Sequence, residues 1–411
     1  MEANQERIWQ RIQTLSTFND TPQQGVTRFS HSPNDERARK FLLEECRKMG
    51  LDSQVDAVGN LLITYPGQDK KLPPLWIGSH IDSVRNGGRF DGIVGVVSAL
   101  EVIQVLWEQG IKPRRSIQLV IFAEEEGSNF GTTMIGSKSM VGKCDAEYLK
   151  NLHAEDGRSA WQVMKDFGLD PDQAGKHPLT AQDVFAMIEL HIEQGIVLEK
   201  MEKTIGVVEA IAGMQTYRIQ VTGRSNHAGS TPMNLRQDPM PAAAKLITAI
   251  QKLAAEEALP TTVATVGEIE CQPNMTNVIP QSVRFSVDIR DVKEEGIQMV
   301  LDGIQKNSRE LEQSDEVQIQ MELVGSSPCV QLDEEIVNHI EAGVKKREIP
   351  YMRMNSGAVH DSAMLTQVTK VGMIFVPSTE EKSHTATEYT SPEQIKLGED
   401  ILLESAWGLV C

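Results

Sequence analysis

Side chains that can bind metal ions follow an apolar segment in the first quarter of the chain. His80 and Asp82 come shortly after Leu75-Trp76-Ile77, which has the pattern of a buried strand, and Asp91 lies just before a long apolar helix. In an open α/β sheet, ligands bind at the carboxyl edge of the strands. An imidazole and two nearby carboxylates form a donor set that suits a transition metal ion. The sequence therefore predicts half of a metal site here, with the other half supplied from elsewhere in the chain.

Two more predicted strands end in residues of the same kind. Glu124-Glu125-Glu126 follow the apolar segment 117–123, and adjacent carboxylates repel one another unless a cation or a raised pKa relieves them. Taken alone, this stretch is equally compatible with a solvated acidic loop. His191-Ile192-Glu193 follow the apolar segment 185–190. The carboxyl ends of separate predicted strands therefore carry metal-binding side chains.

The patterns of helix and strand predict two domains, one of them discontinuous. At 411 residues the chain is longer than a single hydrophobic core usually organises. Strands that alternate with the amphipathic helix 93–110 predict a largely parallel sheet flanked by helices. From about residue 213, the order strand, helix, strand, strand, helix, strand predicts a ferredoxin-like α+β domain. We therefore expect an α/β domain formed by residues 1–212 and 327–411, with an inserted domain at residues 213–326.

Composition and charge argue against several classes of function. A formal net charge of −18 disfavours nucleic acid and anionic membrane surfaces, because phosphate contacts need clustered Lys and Arg. The first residues lack the basic-then-apolar order of a signal peptide, and no apolar run approaches the roughly 20 residues that span a bilayer. The five cysteines are widely separated and form no C-x-x-C pair, so neither a disulfide framework nor a zinc-thiolate site is indicated. We predict a cytoplasmic protein.

Six short motifs follow one another along the chain. They are His80-x-Asp82, Gly87-Gly88-x-x-Asp91-Gly92, Glu125-Glu126-Gly127, Glu189-Leu190-His191-Ile192-Glu193-Gln194-Gly195, Asn226-His227-Ala228-Gly229 and Ser383-His384. Each motif alone is weakly specific, but the ordered set covers nearly the whole sequence and resembles that of the M20-type binuclear metallohydrolases. Within that family, the motifs are most similar to those of the N-carbamoyl-L-amino acid and allantoate amidohydrolases.

The resemblance implies two divalent metal ions, zinc, manganese or cobalt. Asp91 would bridge the two ions, and terminal ligands would complete each site. His80 and His191 would complete one site, and Glu126 and His384 the other. For any single histidine, the alternative is an ordinary hydrogen-bonded core or surface residue.

The resemblance also implies catalytic roles for three residues outside the ligand set. Glu125 would take a proton from the attacking water and pass it to the leaving nitrogen, whereas Glu124 is assigned to the loop. Asp82 would orient the imidazole of His80, with a strand-end cap as the alternative. His227 would stabilise the oxyanion in the active site of a neighbouring subunit, or else be a turn histidine. Activity would then require the dimer.

A substrate carboxylate would be held by residues of the inserted domain. Arg290 and Asn277 match family positions with this role, and a guanidinium is a natural bidentate partner of a carboxylate. The alternative for Arg290 is an internal ion pair with Asp288 or Asp291. Val359 and Asn129 depart from the family pattern, which affects the size and charge of the pocket. The other residues that the resemblance places at the substrate are Gln194, Gly357, Ala358 and His360.

The predicted function is hydrolysis of the carbamoyl C–N bond of an N-carbamoyl-L-amino acid or of allantoate, with release of ammonia and carbon dioxide. The predicted partners are a small-molecule carboxylate and a second copy of the chain, bound through the inserted domain, which would also act as a lid. One alternative is an aminoacylase or dipeptidase of the wider M20 family. Another is a non-catalytic relative that binds the ligand without consuming it.

Overall fold

The computed structural model describes the backbone of residues 1–411 and every side chain except that of Glu381. The chain separates into two compact units. The first unit consists of Met1–Glu209, Leu332–Ser356 and His360–Cys411, and the second of Ala210–Gln331 and Gly357–Val359. Among the described residues, no helix combines the length and the apolar character needed to cross a bilayer.

A mixed sheet forms the core of the first unit. Its strands are β1 (Asp52–Val55), β2 (Leu61–Tyr65), β3 (Leu75–His80), β4 (Ile117–Phe122), β5 (Ala186–Ile192), β6 (Ile205–Ile211), β15 (Tyr351–Ser356) and β16 (Lys370–Val376). They have the order β1-β2-β4-β3-β5-β16-β6, and β15 also pairs with β6. The short strand β14 (Val330–Gln331) pairs with Ala210 and Ile211, and these four residues belong to the second unit.

The central strands β4, β3, β5 and β16 are parallel to one another. The prediction of a parallel sheet is correct for this centre, while β2 and β6 pair antiparallel on either side of it. Parallel strands end at the same edge of a sheet, so the residues that follow them lie together. In this register His80 stands beside Phe122, and His191 beside Phe375. The motifs at the strand ends are thereby brought to one edge.

Helices cover the sheet of the first unit. They are α1 (Gln5–Ser16), α2 (Pro33–Lys48), α3 (Ile93–Glu108), α4 (Ile135–Met140), α5 (Ala146–Asn151), α6 (Ala160–Asp166), α7 (Val197–Lys200), α10 (Glu334–Lys346), α11 (Asp361–Leu365) and α12 (Pro392–Val410). Almost every residue of α3 is buried, because the helix packs on β3 and is itself covered by α1 and α12. The start of this buried helix carries the chain away from Asp91 and fixes that loop against the sheet edge.

The second unit contains an antiparallel sheet of order β10-β12-β7-β13, with β9 also paired to β12. Because β9 and β10 pair with successive parts of β12, they act as one interrupted strand, and the order is that of a ferredoxin-like α+β sandwich. A short ribbon, β8 with β11, lies outside this sheet. The elements are β7 (Gly213–Thr222), β8 (Asn226–His227), α8 (Pro239–Lys252), β9 (Val263–Thr265), β10 (Ile269–Gln272), β11 (Val278–Ile279), β12 (Ser282–Asp291), α9 (Glu294–Ser314) and β13 (Gln318–Ser327).

Candidate active site

His80, Asp91 and His191 form the first candidate metal cluster. Nε2 of His191 lies 3.2 Å from Oδ1 of Asp91, and Nε2 of His80 lies 3.6 Å from the same oxygen. All three side chains are buried. The histidines come from the ends of β3 and β5, which lie side by side in the sheet. Asp91 reaches them from the turn that precedes α3.

The tautomers of the two histidines suit a metal ligand. Nδ1 of His80 lies 3.1 Å from the carbonyl of Asp82, and Nδ1 of His191 lies 2.9 Å from the carbonyl of Ile192. A neutral imidazole that donates from Nδ1 carries its lone pair on Nε2. Both Nε2 lone pairs thus face the Asp91 carboxylate, and the main-chain N–H of Gly92 lies 3.2 Å from Nε2 of His191. A cation between these atoms removes the repulsion, so the donor set fits a divalent ion.

Asp91, Glu126 and His384 form the second candidate metal cluster. Nε2 of His384 lies 3.4 Å from Oδ2 of Asp91 and 3.4 Å from Oε2 of Glu126. The other oxygen of Glu126, Oε1, is buried and has no hydrogen-bond partner among the described residues. Asp91 therefore offers one oxygen to each cluster, which is the arrangement that a two-ion site requires. The side chain of His384 is 50% exposed, so this cluster opens toward solvent.

The charges at this edge of the sheet are unbalanced without a cation. Burial and, to a lesser degree, the neighbouring Asp91 carboxylate raise the pKa of Glu126 to about 7. Burial also raises the pKa of Glu125 well above its usual value. Burial acts to lower the pKa of His80, yet the carboxylates of Glu125, Asp91 and Asp82 raise it well above the ordinary range. Neighbouring carboxylates thus contribute to the raised pKa of both Glu126 and His80, and divalent ions would neutralise this negative charge.

Glu125 lies beside the first cluster without belonging to it. Its Oε2 is 3.9 Å from Nε2 of His80, and its side chain is buried. The main-chain N–H groups of Glu125 and Glu126 donate to the two carboxylate oxygens of Asp82, at 3.3 and 3.1 Å. The same carboxylate lies 3.7 Å from Nδ1 of His80, too far for a hydrogen bond. Asp82 thus faces the imidazole with its carbonyl, while its side chain orders the turn that carries Glu125.

Glu124 is not part of a solvated loop, and that interpretation of the sequence is wrong. The side chain is completely buried. Its Oε1 accepts the main-chain N–H groups of Asn129 at 2.9 Å and Phe130 at 3.2 Å, and its own N–H donates to Oγ of Ser30. The carboxylate therefore satisfies the backbone of the next turn, and burial raises the pKa of Glu124 well above its usual value.

Gln194 touches the residue that both clusters share. Its side-chain Nε2 donates to Oδ2 of Asp91 at 2.7 Å and lies 3.3 Å from Nε2 of His384. The amide oxygen of Gln194 is buried and has no hydrogen-bond partner among the described residues. A buried acceptor of this kind is costly unless a ligand or water supplies a donor.

His360 packs directly behind the first cluster. Its ring meets that of His191 edge to face, with centroids 4.6 Å apart, and its Nε2 lies 2.9 Å from Oγ of Ser356. Glu189, His191 and His360 form another grouping that could hold a metal ion. However, the Glu189 carboxylate already accepts hydroxyl protons from serines at both oxygens. We therefore assign no ion to this grouping.

The remaining predicted site residues belong to the second unit. His227 pairs with Val278 across the β8–β11 ribbon, and the N–H of Ala228 donates to the carbonyl of Asn277 at 3.0 Å. Nη1 of Arg290 donates to the carbonyl of Gly357 at 3.1 Å. His227 therefore lies close to Asn277, and Arg290 contacts the segment that contains Gly357 and Ala358.

Arg290 also makes the internal ion pair that the sequence left open. Its Nε donates to Oδ1 of Asp288 at 2.7 Å, and Nη2 is 3.5 Å from the other oxygen. The guanidinium is one-third exposed, so part of it faces solvent.

One buried acid at the first unit's site escaped the sequence analysis. Oε1 of Glu388 accepts the main-chain N–H groups of Phe90 at 2.9 Å and Asp91 at 3.1 Å. Burial and, to a lesser degree, the Asp91 carboxylate raise the pKa of Glu388 to about 7. The only signal in the sequence is its position four residues after His384, in a run of polar residues.

The profile of peptidase family M20/M25/M40 matches residues 76–407. The chain belongs to this family. It is 38% identical to the N-carbamoyl-L-amino acid amidohydrolase of Geobacillus stearothermophilus over 98% of each chain, and 32% identical to the allantoate amidohydrolase of Escherichia coli K12 over 98% of each. A crystal structure of a hydantoinase/carbamoylase family amidase from Burkholderia multivorans matches with a TM-score of 0.91 at 31% identity, over 100% of this chain and 98% of that one.

These similarities confirm the family and the α/β fold that the motifs predict. The chain is an M20-family amidohydrolase.

Proposed function

We propose that this M20-family enzyme hydrolyses the carbamoyl C–N bond of a ureido acid, either an N-carbamoyl-L-amino acid or allantoate, and releases ammonia and carbon dioxide. The observation that carries the proposal is the pair of clusters that share Asp91, with Glu125 beside them. Two divalent ions, zinc, manganese or cobalt, would be held by these clusters and would supply Lewis-acid activation of water and of the ureido carbonyl. The ligands are His80, Asp91, Glu126, His191 and His384.

Glu125 is the proton carrier of the proposed reaction. It takes a proton from the attacking water and returns it to the leaving nitrogen, a role that needs a carboxylate within reach of both. Its Oε2 lies 3.9 Å from His80 and stays outside both ligand sets, so it remains free to move a proton. The carboxylate of Asp82, which follows the neighbouring strand β3, accepts the main-chain N–H of Glu125 and so holds this residue in place.

His227 is equipped to donate a hydrogen bond to a developing oxyanion. Its Nδ1 accepts the N–H groups of Gly229 at 3.1 Å and Ser230 at 3.2 Å. In the neutral ring the proton must then sit on Nε2, where it is available as a donor. We assign this donor to the active site of the neighbouring subunit, and we assign the second unit the roles of lid and dimerisation domain. Lid closure would also exclude water from the reaction.

Arg290 and Asn277 anchor the substrate carboxylate. A guanidinium has five N–H donors, and the contacts with Asp288 and Gly357 orient it while leaving donors for a bidentate partner. Ala358 lies next to Gly357 in the same segment and lines the same pocket. In the first unit, the unpartnered amide oxygen of Gln194 would accept from the terminal carbamoyl NH₂.

A substrate panel on the metal-reconstituted enzyme tests the function. Ammonia release is measured with several N-carbamoyl-L-amino acids, their D-enantiomers and allantoate, and amine release with N-acetyl amino acids and dipeptides. The proposal predicts ammonia release from at least one ureido acid and much slower reaction of the amides. Preferred cleavage of N-acetyl amino acids or dipeptides would establish the aminoacylase or dipeptidase alternative instead. The Glu125→Gln variant, purified in the same way, controls for contaminating enzymes.

A further inference from the structure

The carboxylate of Glu388 joins two loops that are far apart in the sequence. Oε1 accepts the main-chain N–H groups of Phe90 and Asp91, at 2.9 and 3.1 Å. Oε2 lies 3.2 Å from Oγ of Ser383, whose hydroxyl donates, and Ser383 immediately precedes His384. The side chain is only 3% exposed, so water cannot easily replace these contacts. One buried group thus connects the loop of the shared ligand with the loop of the last ligand.

The two candidate clusters depend on this connection to different degrees. His80 is the last residue of β3 and His191 the last but one of β5, so both are held by the sheet itself. His384 instead lies on an irregular loop after β16, half exposed and in the left-handed backbone region at φ 56°. Its distance from Asp91 is therefore set by loop contacts. The hydroxyl of Ser383, 3.2 Å from both Oδ2 of Asp91 and Oε2 of Glu388, lies between these two carboxylates.

We propose that Glu388 is a positioning residue that couples the Asp91 loop to the His384 loop, and that it sets the affinity of the second cluster for its ion far more than that of the first. The inference rests on the proposed two-metal centre. Removal of a group that hydrogen-bonds to a metal ligand and orients it usually lowers metal affinity by about 10–100-fold. Here the loss should be selective, because the first cluster keeps two histidines that the sheet holds, whereas Asp91 and His384 of the second cluster both come from the loops that Glu388 joins.

Gly88 provides a second way to disturb the same contact. A Cβ placed on Gly88 would collide with the Glu388 carboxylate, and the backbone there lies outside the left-handed region. Gly88→Ala therefore displaces the carboxylate without altering its chemistry. Glu388→Gln does the opposite. It keeps the shape of the side chain, but one of the two acceptor oxygens becomes an NH₂ group, which donates and cannot accept a hydrogen bond.

Metal titration of the apo-protein tests the inference independently of catalysis. Protein stripped with a chelator is titrated with Mn²⁺ or Zn²⁺ by calorimetry, and the Co²⁺ absorption spectrum is recorded at each step. We expect the wild-type chain to bind two ions, and Glu388→Gln to keep one site within about threefold while the other weakens about 10–100-fold. Gly88→Ala should show the same selective loss. Glu399→Gln is the control, since Glu399 is a completely buried acid of α12 that belongs to neither cluster.

The outcomes separate this inference from the function on which it rests. Unchanged affinities in both variants, or equal weakening of the two sites, would overturn the role of Glu388 and leave the metal centre standing. A wild-type chain that binds fewer than two ions would overturn the two-metal centre and the inference together. Circular dichroism of the apo-proteins establishes folding, and Gly88→Ala alone decides the question if Glu388→Gln does not fold.

Discussion

Oδ2 of Asp82 accepts the main-chain N–H of Glu126 at 3.1 Å, although the two residues lie 44 positions apart. The other oxygen accepts from Glu125 at 3.3 Å. A carboxylate at the end of β3 therefore determines the backbone of the turn that follows β4. The proton carrier and a metal ligand both depend on this turn, so Asp82 acts on the site through the main chain of its neighbours.

Replacing Asp82 with Asn should lower kcat with little change in KM. An amide offers one acceptor oxygen, so one buried N–H of the turn loses its partner, at a cost of about 1–3 kcal/mol in the free energy of unfolding. We expect kcat to fall about 10–100-fold, as for other residues that hold metal ligands. Steady-state kinetics and urea unfolding measure the two effects. Asp156→Asn, at an exposed loop, is the control. A kcat equal to that of the wild type would show that the turn does not need this carboxylate.

Replacing Glu125 with Gln should stop turnover and leave the metal content intact. The amide cannot take a proton from water, and loss of a general base typically reduces kcat about 10²–10⁴-fold. Kinetics combined with elemental analysis of the purified protein checks both parts. Glu126→Gln provides the contrast, since it should lose metal from the second cluster. Normal turnover by the Glu125 variant would remove this residue from the mechanism.

Mixed dimers test whether His227 acts across subunits. Alone, His227→Ala should lose about 10²–10³-fold in kcat, as expected for one oxyanion donor. Co-refolded with Glu125→Gln, it should recover roughly a quarter of wild-type activity, because half of the dimers are mixed and each has one complete site. Activity is measured before and after mixing, with size-exclusion chromatography to verify the dimer. If no activity returns, His227 serves its own subunit or has no catalytic role.

Replacing Arg290 with Lys should weaken substrate binding through the carboxylate. The variant keeps the charge but loses the planar fork, and a charge-assisted hydrogen bond contributes about 1.5–3 kcal/mol, so KM should rise about 10–100-fold. The carboxamide analogue of the substrate should bind both proteins equally. Arg284→Lys is the matched control, since Arg284 lies on the same strand and pairs with Glu270. An unchanged KM would mean that the carboxylate is held elsewhere.

The stability of the fold should fall at acid pH through His31. Burial lowers the pKa of His31 to about 4, with Asp35 acting against the shift. A histidine in the unfolded chain titrates near 6.5, so as the pH falls the unfolded state binds the proton before the folded state does. The contribution of neutral His31 to the free energy of unfolding is therefore complete above pH 6.5. It falls by about 3 kcal/mol between about pH 6.5 and 4. Asn tolerates the left-handed φ of 63° at this position. In the His31→Asn variant, the free energy of unfolding measured with urea should therefore change less with pH over this range. The exposed His153→Asn should behave like the wild type, and a His31→Asn profile as steep as that of the wild type would contradict the assignment.

Much of the core and of the site was predictable from local pattern. The strands Ile117–Phe122 and Ala186–Ile192 and the helix Ile93–Glu108 agree with the prediction to within two residues, because continuous apolar runs mark them clearly. His80 and His191 were predictable for the same reason. Each stands at the end of a strongly apolar strand, so position in the sequence specifies position at the sheet edge.

Other contacts have no local signal. Glu388 reaches Asp91 across 297 positions, and nothing in the spacing of polar residues indicates such a contact. The burial of Glu124 is invisible for a related reason, since it depends on the turn that brings Asn129 and Phe130 back over the carboxylate. The short helices between Ile135 and Asp166 also went unpredicted, because six or seven residues are too few to show a helical period.

The place of β16 in the sheet has a consequence for how the protein is made. This strand lies between β5 and β6, although the ribosome adds it more than 150 residues after either of them. During synthesis the nascent chain therefore has a gap in the middle of its sheet, and His384 and Glu388 are still to come. We expect the second cluster to acquire its ion only once translation has passed these residues, so that metal loading is a late step in maturation.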